Sequence, residues 1–515
     1  MRRRTRGPTT APPRSGRQRE ALREKGQFWT PDWVADFMVA YVLRPRPSEL
    51  LDPATGGGAF FRAAKRYAKE HGVAVSPFGR DVDPSVLRQA RESGLSDLDL
   101  ANVEIKDFVL DPPERQFPAI VANPPYIRHH RLSQETKADL RAFATAATGL
   151  QIDGRAGLHV YFLIRALRCL SAHGRLAFIV SADVCEGVFA ESLWRWICAH
   201  YRLDAVVTFS PQAAPFPDVD TNAIAFLIAN EPPTQELDWV RCNAPNASGL
   251  CNLVDEGAEE THGGDVEVHR RRLSEGLATG LSRFPSTEKH EFRLGDFATV
   301  MRGIVTGDNG FFFMTSARAG ELGIPPSCLV RAIGRTRDVE GEALTQERIE
   351  ALDATGRPTW LLSVNGIPLE QMPPRVQEYL QRGEKAGLPE KTLIRTRTPW
   401  YRMETRRVPP ILFAYLGRRH ARFIRNYAGV VPLTCLLCVY PRSEDPAFVE
   451  KLWTVLCHPD TVSNLRKVGK SYGGGAVKVE PRALERLPLP DELVRAQGLQ
   501  KWASPKQGTF GFEAL

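Results

Sequence analysis

Ser48-Glu-Leu-Leu-Asp52-Pro-Ala-Thr-Gly-Gly-Gly58-Ala-Phe60 passes from an apolar run ending in an acid, through three glycines, into a helix-like pattern that continues through Lys65. That order reads as a buried strand, a tight turn and a helix. A glycine turn there lets a ligand approach the backbone and offers it the amides at the helix start. Further on, Gly79-Arg-Asp81-Val-Asp83-Pro84 reads as a second strand end, whose acid can take both hydroxyls of a ribose. The two features together imply a nucleoside-containing ligand.

Working outward, Val73-Ala-Val75, Pro118-Ala-Ile-Val-Ala122, Arg175 to Ser181 and Ala223 to Ile228 are further β-rich apolar runs, separated by helix-period segments. Ala156 to Leu170 is the clearest of those helices. The alternation predicts an α/β domain with a mostly parallel sheet over 23–235. Residues 236–290 are polar and read as a connector. A second domain, 291–495, is richer in short strands and Gly and Pro turns, without a βαβ rhythm. Residues 1–22 read as a flexible basic tail, because Met1 to Arg19 carries seven arginines and no acid. Residues 496–515 read as a C-terminal tail.

The chain has 515 residues with 68 Lys+Arg against 60 Asp+Glu, a net charge of +8. The N-terminal segment contributes +7 and the window Lys391 to Val430 contributes +9, so the remainder is acidic. In that window ten basic residues accompany one acid, Glu404, with Trp400, Tyr401, Phe413, Tyr415, Phe423 and Tyr427 interleaved. Such density suits contacts with a phosphate backbone and with guanine edges. Nine cysteines are too few for a disulfide scaffold, and Cys435-Leu-Leu-Cys438 lies in an apolar run, so core thiols are expected. The longest apolar stretch, Ala428 to Tyr440, contains Pro432 and is too short for a membrane span. The reading is a cytoplasmic protein with no membrane partner.

Directly after the strand Ala119-Ile-Val-Ala122 stands Asn123-Pro-Pro-Tyr126. This loop resembles the signature of the amino-methylating S-adenosylmethionine-dependent methyltransferases. The resemblance implies that the Asn123 side-chain oxygen and the Pro124 carbonyl accept both N–H bonds of an exocyclic amino group, favouring a nitrogen whose lone pair can attack. Pro124 and Pro125 stiffen the loop, and Tyr126 offers a stacking face to a base taken out of its helix. No metal is needed. Asp111-Pro-Pro-Glu114 has a similar beginning, but it lacks the aromatic and precedes the strand, and reads as a loop.

Further segments match the same family individually. Gly26-Gln-Phe-Trp-Thr30-Pro31 looks like the N-terminal cofactor segment of adenine-N6 DNA methyltransferases, with Thr30 also expected as helix cap and Pro31 at the first helical position. The resemblance implies cofactor contacts from Thr30, Pro31, Asp52, Ala54, Gly56, Gly58, Asp81, Val82, Asp107, Phe108 and Phe162. Thr55-Gly56 stands where the family commonly has Cys or Ser nearby. Phe216, in Pro215-Phe-Pro-Asp218, resembles the residue that packs against the flipped base. The segment order resembles the gamma class. Arg302 to Phe312 and Ser471 to Pro481 resemble recognition-domain segments of restriction-associated enzymes. The resemblance spans Gly26 to about Pro490.

The expectation is a Rossmann-like class I methyltransferase domain with a C-terminal α+β target-recognition domain. It would methylate adenine N6 in double-stranded DNA as a monomer, alongside a cognate restriction endonuclease or defence-system protein. Arg395, Arg397, Arg402, Arg406, Arg407, Arg418 and Arg419 are the expected DNA contacts. Cytosine N4, RNA or protein glutamine are rival acceptors, and a non-catalytic DNA-binding subunit is a rival of another class. Gly469-Lys470-Ser471 is no phosphate loop, since Asn464 stands where that motif needs glycine. Glu104-Ile-Lys106 has nuclease-like spacing but sits in a strand.

Overall fold

The computed structural model describes residues 29–501 apart from 186–188, 217–221, 246, 257–259, 262, 286–289, 366, 416–420 and 473–475. The expected basic tail, and Arg418 and Arg419, lie outside the described residues. The chain divides into two units, Met1–Pro285 and Ser286–Leu515.

The first unit contains a nine-stranded sheet. Its strands are β1 (Glu49–Asp52), β2 (Ser76–Asp81), β3 (Val103–Ile105), β4 (Phe117–Ala122), β5 (Leu170–Ser181), β6 (Arg202–Phe209), β7 (Ala223–Ala229), β8 (Glu236–Cys242) and β9 (Val266–Arg272). They lie in the order β3-β2-β1-β4-β5-β7-β6-β8-β9. Only β7 and β9 run against the others. Both faces of the central strands β1, β4, β5 and β7 are covered, which is why these read as nearly continuous apolar runs. Leu51, Ile120, Ala122, Leu176 and Phe178 enter one core. Leu50, Ala119, Val121, Ala177 and Ile179 enter the other, as the two-residue strand period requires.

The chain lays β1 to β3 outward in one direction and then returns to place β4 on the other side of β1. Beyond the C-terminal ends of β1 and β4, a crevice is therefore unavoidable, because the following connections diverge to opposite sides. Both motifs singled out in the sequence leave their strands at that point.

Around the sheet, α1 (Asp32–Leu43) is buried along most of its length, and α2 (Ala59–His71), α3 (Ser85–Glu92), α4 (Gln134–Thr148), α5 (Leu158–Arg168) and α6 (Ala190–His200) follow. Three expectations need correction. The second strand is Ser76–Asp81, one step after Val73-Ala-Val75, because Asp81 must reach the strand end beside β1. Thr30 is not the cap of α1; Pro31 holds that position, and its carbonyl accepts from the Val34 and Ala35 amides at 3.0 Å. The connector 236–290 contains β8 and β9, which extend the sheet. Leu237, Trp239, Val240 and Cys242 are buried on β8, an alternation obscured by the polar residues around it.

In the second unit a five-stranded sheet runs Ala298–Arg302, Leu437–Pro441, Ile411–Ala414, Arg422–Asn426, Ala343–Leu344. A four-stranded sheet and a two-stranded ribbon accompany it. Helices Pro446–Cys457 and Pro459–Val468 supply Val449, Leu452, Val455, Leu456 and Leu465 to the core that the first sheet shares. Strands and helices segregate as in an α+β domain. The Cys435 and Cys438 thiols are free, and burial pushes them up to about 12 and 11, as core thiols require. Among the described residues no helix is long and apolar enough to cross a membrane.

Candidate active site

At the end of β1 the Asp52 side chain is fully buried. Its Oδ1 accepts from the Ala54 amide at 3.1 Å, whereas Oδ2 is buried without a hydrogen-bond partner among the described residues. Burial, with the charge of Asp81 adding to it, pushes the carboxyl up to about 8, against the opposing pull of the Ala54 amide.

The glycine turn is tied down from both sides. The Thr55 amide donates to the Arg80 carbonyl at 3.0 Å and its hydroxyl to the same oxygen at 3.2 Å. Gly79 makes this possible: a Cβ there would fall 2.4 Å from Thr55 Oγ1. Thr55, the departure from the family pattern, therefore has a structural task of its own. The Gly56 amide donates to Asp81 Oδ2 at 3.0 Å, and Asp81 Oδ1 accepts from the Asp83 amide at 3.0 Å. Asp81 thus joins the turns after β1 and β2, and burial raises its pKa. Gly58 stands at φ 72°, a conformation costly for other residues. Val82 is exposed beside Asp81.

Two aromatic positions differ in kind. Phe162, at the sheet side of α5, is nearly buried and lies 5.5 Å between ring centroids from Phe108. Phe108 itself is 1 % exposed and is a core residue that supports Phe162. Asp107 Oδ1 accepts from the Val109 and Leu110 amides at 2.7 Å, so this exposed acid also shapes the turn that follows it. Trp29, not singled out in the sequence, lies over the glycine turn, where a Cβ on Gly57 would come within 3.3 Å of its ring.

Asn123 leaves β4 and its Nδ2 donates to Thr30 Oγ1 at 3.0 Å. The Tyr126 ring has edge-on neighbours in His159 and Phe216, each 6.3 Å away between centroids. Burial holds the Tyr126 hydroxyl well above its ordinary pKa, keeping it neutral. The structure thus brings Thr30, Asn123, Tyr126 and Phe216 together. The control loop at Asp111 takes another role: its carbonyl accepts from Arg80, whose guanidinium also pairs with Glu104 at 2.7 Å.

The arginines of the basic window divide. Arg397 donates to the Thr306 and Val305 carbonyls at 2.9 and 2.8 Å. Arg406 donates to the Arg302 and Thr405 carbonyls and to Glu404. Arg422 and Arg425 are likewise engaged with backbone carbonyls. These side chains hold loops together within their own unit. Arg395 and Arg402 are exposed, and the exposed Arg407 pairs with Glu444 at 2.7 Å. Arg402 borders a cavity of about 580 Å³ with Tyr401 and Glu404. Asn365 steadies the adjoining turn through 2.6 and 2.8 Å bonds to the Met403 backbone.

Comparison with known proteins places both units of the chain among methyltransferases of restriction-modification systems. Residues 18–227 match the N-6 DNA Methylase family, and residues 283–505 match the family described as Type II methyltransferase M.Eco57I, C-terminal domain. Type II methyltransferase M.AccI of Acinetobacter calcoaceticus is 24% identical over 477 residues, covering 91% of this chain and 85% of that protein. M.XamI of Xanthomonas campestris pv. amaranthicola is 25% identical over 478 residues, covering 90% and 85%. The type IIL restriction-modification enzyme MmeI, solved in complex with DNA, shares the fold at a TM-score of 0.52 and 12% identity, over 94% of this chain and 73% of that one. The chain is thus similar to N-6 DNA methylases over residues 18–227 and to a Type II methyltransferase C-terminal domain over residues 283–505, and it is a DNA methyltransferase that uses S-adenosylmethionine.

Proposed function

We propose that the protein methylates the N6 amino group of an adenine extruded from double-stranded DNA. The observation that carries this is Asn123, set at the end of β4 across the switch point from the glycine turn, with its amide oriented by Thr30. The buried Asp52 oxygen and the glycine backbone fit a cationic nucleoside ligand; Asp52, Gly56, Gly58, Asp81 and the Thr30-Pro31 segment would hold S-adenosylmethionine, with Asp107, Val82 and Phe162 at its base. When bound, that cofactor supplies an electrophilic methyl group.

The remaining work belongs to the chain. Once Nδ2 is committed to Thr30, Oδ1 is the other branch of the Asn123 amide and an acceptor. Together with the Pro124 carbonyl it takes the two amino hydrogens, holding the nitrogen lone pair toward the methyl. Tyr126 stacks on the base and Phe216 closes beside it. Arg395, Arg402 and Arg407 hold phosphates, and a cognate restriction endonuclease is the companion that the names of the relatives suggest. Sequencing DNA from expressing cells for modified bases tests the reading: methyl-adenine in one recurring motif supports it, and methyl-cytosine or unmodified DNA overturns it.

A further inference from the structure

His159 is the second residue of α5 and stands beside Tyr126 of the Asn123–Tyr126 loop. The Leu158 amide donates to the Ile127 carbonyl at 2.9 Å, tying the helix start to the residue after Tyr126. Gly157 is squeezed in the same place: a Cβ there would fall 2.7 and 2.9 Å from His159 Cε1 and Nδ1 and 2.9 Å from the Ile127 oxygen. The imidazole is therefore wedged against the catalytic loop, with its ring 73° to that of Tyr126.

The ring is only 8 % exposed, and neither nitrogen has a hydrogen-bond partner among the described residues. Burying a donor and an acceptor unsatisfied costs stability. A phenyl ring of similar size would avoid that cost, so both nitrogens are matched only when something polar arrives. Burial also pushes the imidazole down to about 4, with Asp183 the opposing charge. It therefore presents one N–H and one lone pair near neutral pH, the complement of a heteroaromatic base edge.

We propose that His159 is a specificity-determining residue of the acceptor pocket, hydrogen-bonding the ring edge of the extruded base while Asn123 holds its amino group. This rests on the methyl-transfer reading above and adds a recognition contact to it.

The test is a cycle of protein and base changes. Modified-base sequencing first identifies the acceptor and the motif. Duplexes carrying that motif are then made with one ring nitrogen of the acceptor removed at a time, using 1-, 3- and 7-deazaadenine, or 3-deazacytosine if cytosine is the acceptor. Wild-type protein and His159→Phe are compared on each by kcat/KM, with thermal midpoint and S-adenosylmethionine affinity measured alongside. The expected result is that one deletion costs the wild type at least tenfold and costs H159F less than twofold, at unchanged midpoint and cofactor affinity. If H159F loses the same factor on every duplex, or loses nothing, the proposal is overturned. Should H159F fail to fold, His159→Asn, which keeps a donor and an acceptor, takes its place and must shift the cost among the deaza duplexes. Identifying cytosine would overturn the adenine reading while leaving the His159 contact open to the same cycle.

Discussion

The Asn123 side-chain amide donates to the hydroxyl of Thr30 at 3.0 Å, joining two residues 93 positions apart. Thr30 is 8 % exposed, released from capping α1 by Pro31 and turned instead toward the end of β4. The bond tethers the Asn123 amide with Nδ2 toward Thr30. A neutral hydrogen bond of this kind is worth about 0.5–1.5 kcal/mol. Thr30→Val should therefore lower the single-turnover methylation rate by roughly 3- to 10-fold. Thr30→Ser should restore it, and equal activity of T30V and wild type would remove Thr30 from the catalytic arrangement.

Replacing Asn123 itself is the stricter case. Asn123→Ala removes the acceptor proposed for the amino group, for which a loss on the order of 10²–10³ in kcat is expected. Cofactor affinity and DNA affinity should change little, since those contacts lie elsewhere. Filter binding together with single-turnover transfer measures both sides of that statement.

Asp52 makes the free protein sensitive to pH. Its carboxyl titrates at about 8 in the fold and at about 3.9 when unfolded. Between those values the native state binds one more proton than the unfolded state, so this group's contribution to stability falls as pH rises from about 4 to about 8. Asp52→Asn should flatten the thermal midpoint across that window and raise it relative to wild type most at pH 8.5. A cationic ligand favours the ionised form, so S-adenosylmethionine binding at pH 7 should release a proton in the wild type and not in D52N, as calorimetry in buffers of different ionisation enthalpy would show.

The arginines of the basic window separate by what already holds them. Arg402→Ala and Arg407→Ala should each reduce the slope of log affinity against log salt by about 1, the signature of a lost phosphate contact. Arg397→Ala should leave that slope alone and lower the thermal midpoint, because the Thr306 and Val305 carbonyls lose their donor. The reverse pattern would reassign these side chains.

Arg271 on β9 is a purely structural counterpart. Only 1 % exposed, it pairs with Glu275 at 2.5 Å and donates to the carbonyls of Gly280, Leu281 and Arg283. Arg271→Ala leaves these groups unmatched, for which a loss of about 3–5 kcal/mol is expected. Urea denaturation would measure it, and a loss under 1 kcal/mol would show that the cluster finds other partners.

Much of the methyltransferase unit was legible because its signals are local. A strand end, three glycines and a helix start are neighbours in the chain, as are Ala122 and Asn123. The period-two burial of β4 and β5 is a property of short runs. The polar stretch after Ala229 misled for the converse reason. The alternation of β8 spans seven residues between hydrophilic flanks, and its partner β9 lies beyond a polar insertion. In the arginine window, charge counting registers a guanidinium and not the carbonyls that Arg397, Arg406 and Arg422 engage.

Residue order alone determined the doubly wound fold and the acid, glycine and Asn-Pro-Pro-Tyr elements, because backbone geometry restricts which residues can turn a strand into a helix or stiffen a loop. Tertiary structure alone decided that Thr30 tethers Asn123, that Asp52 is buried enough to hold its proton near neutrality, and that the His159 ring beside Tyr126 finds no hydrogen-bond partner among the described residues. Each of those depends on hydrogen-bond reach and on exclusion of water, and both are set by segments that meet only when β1 and β4 lie side by side.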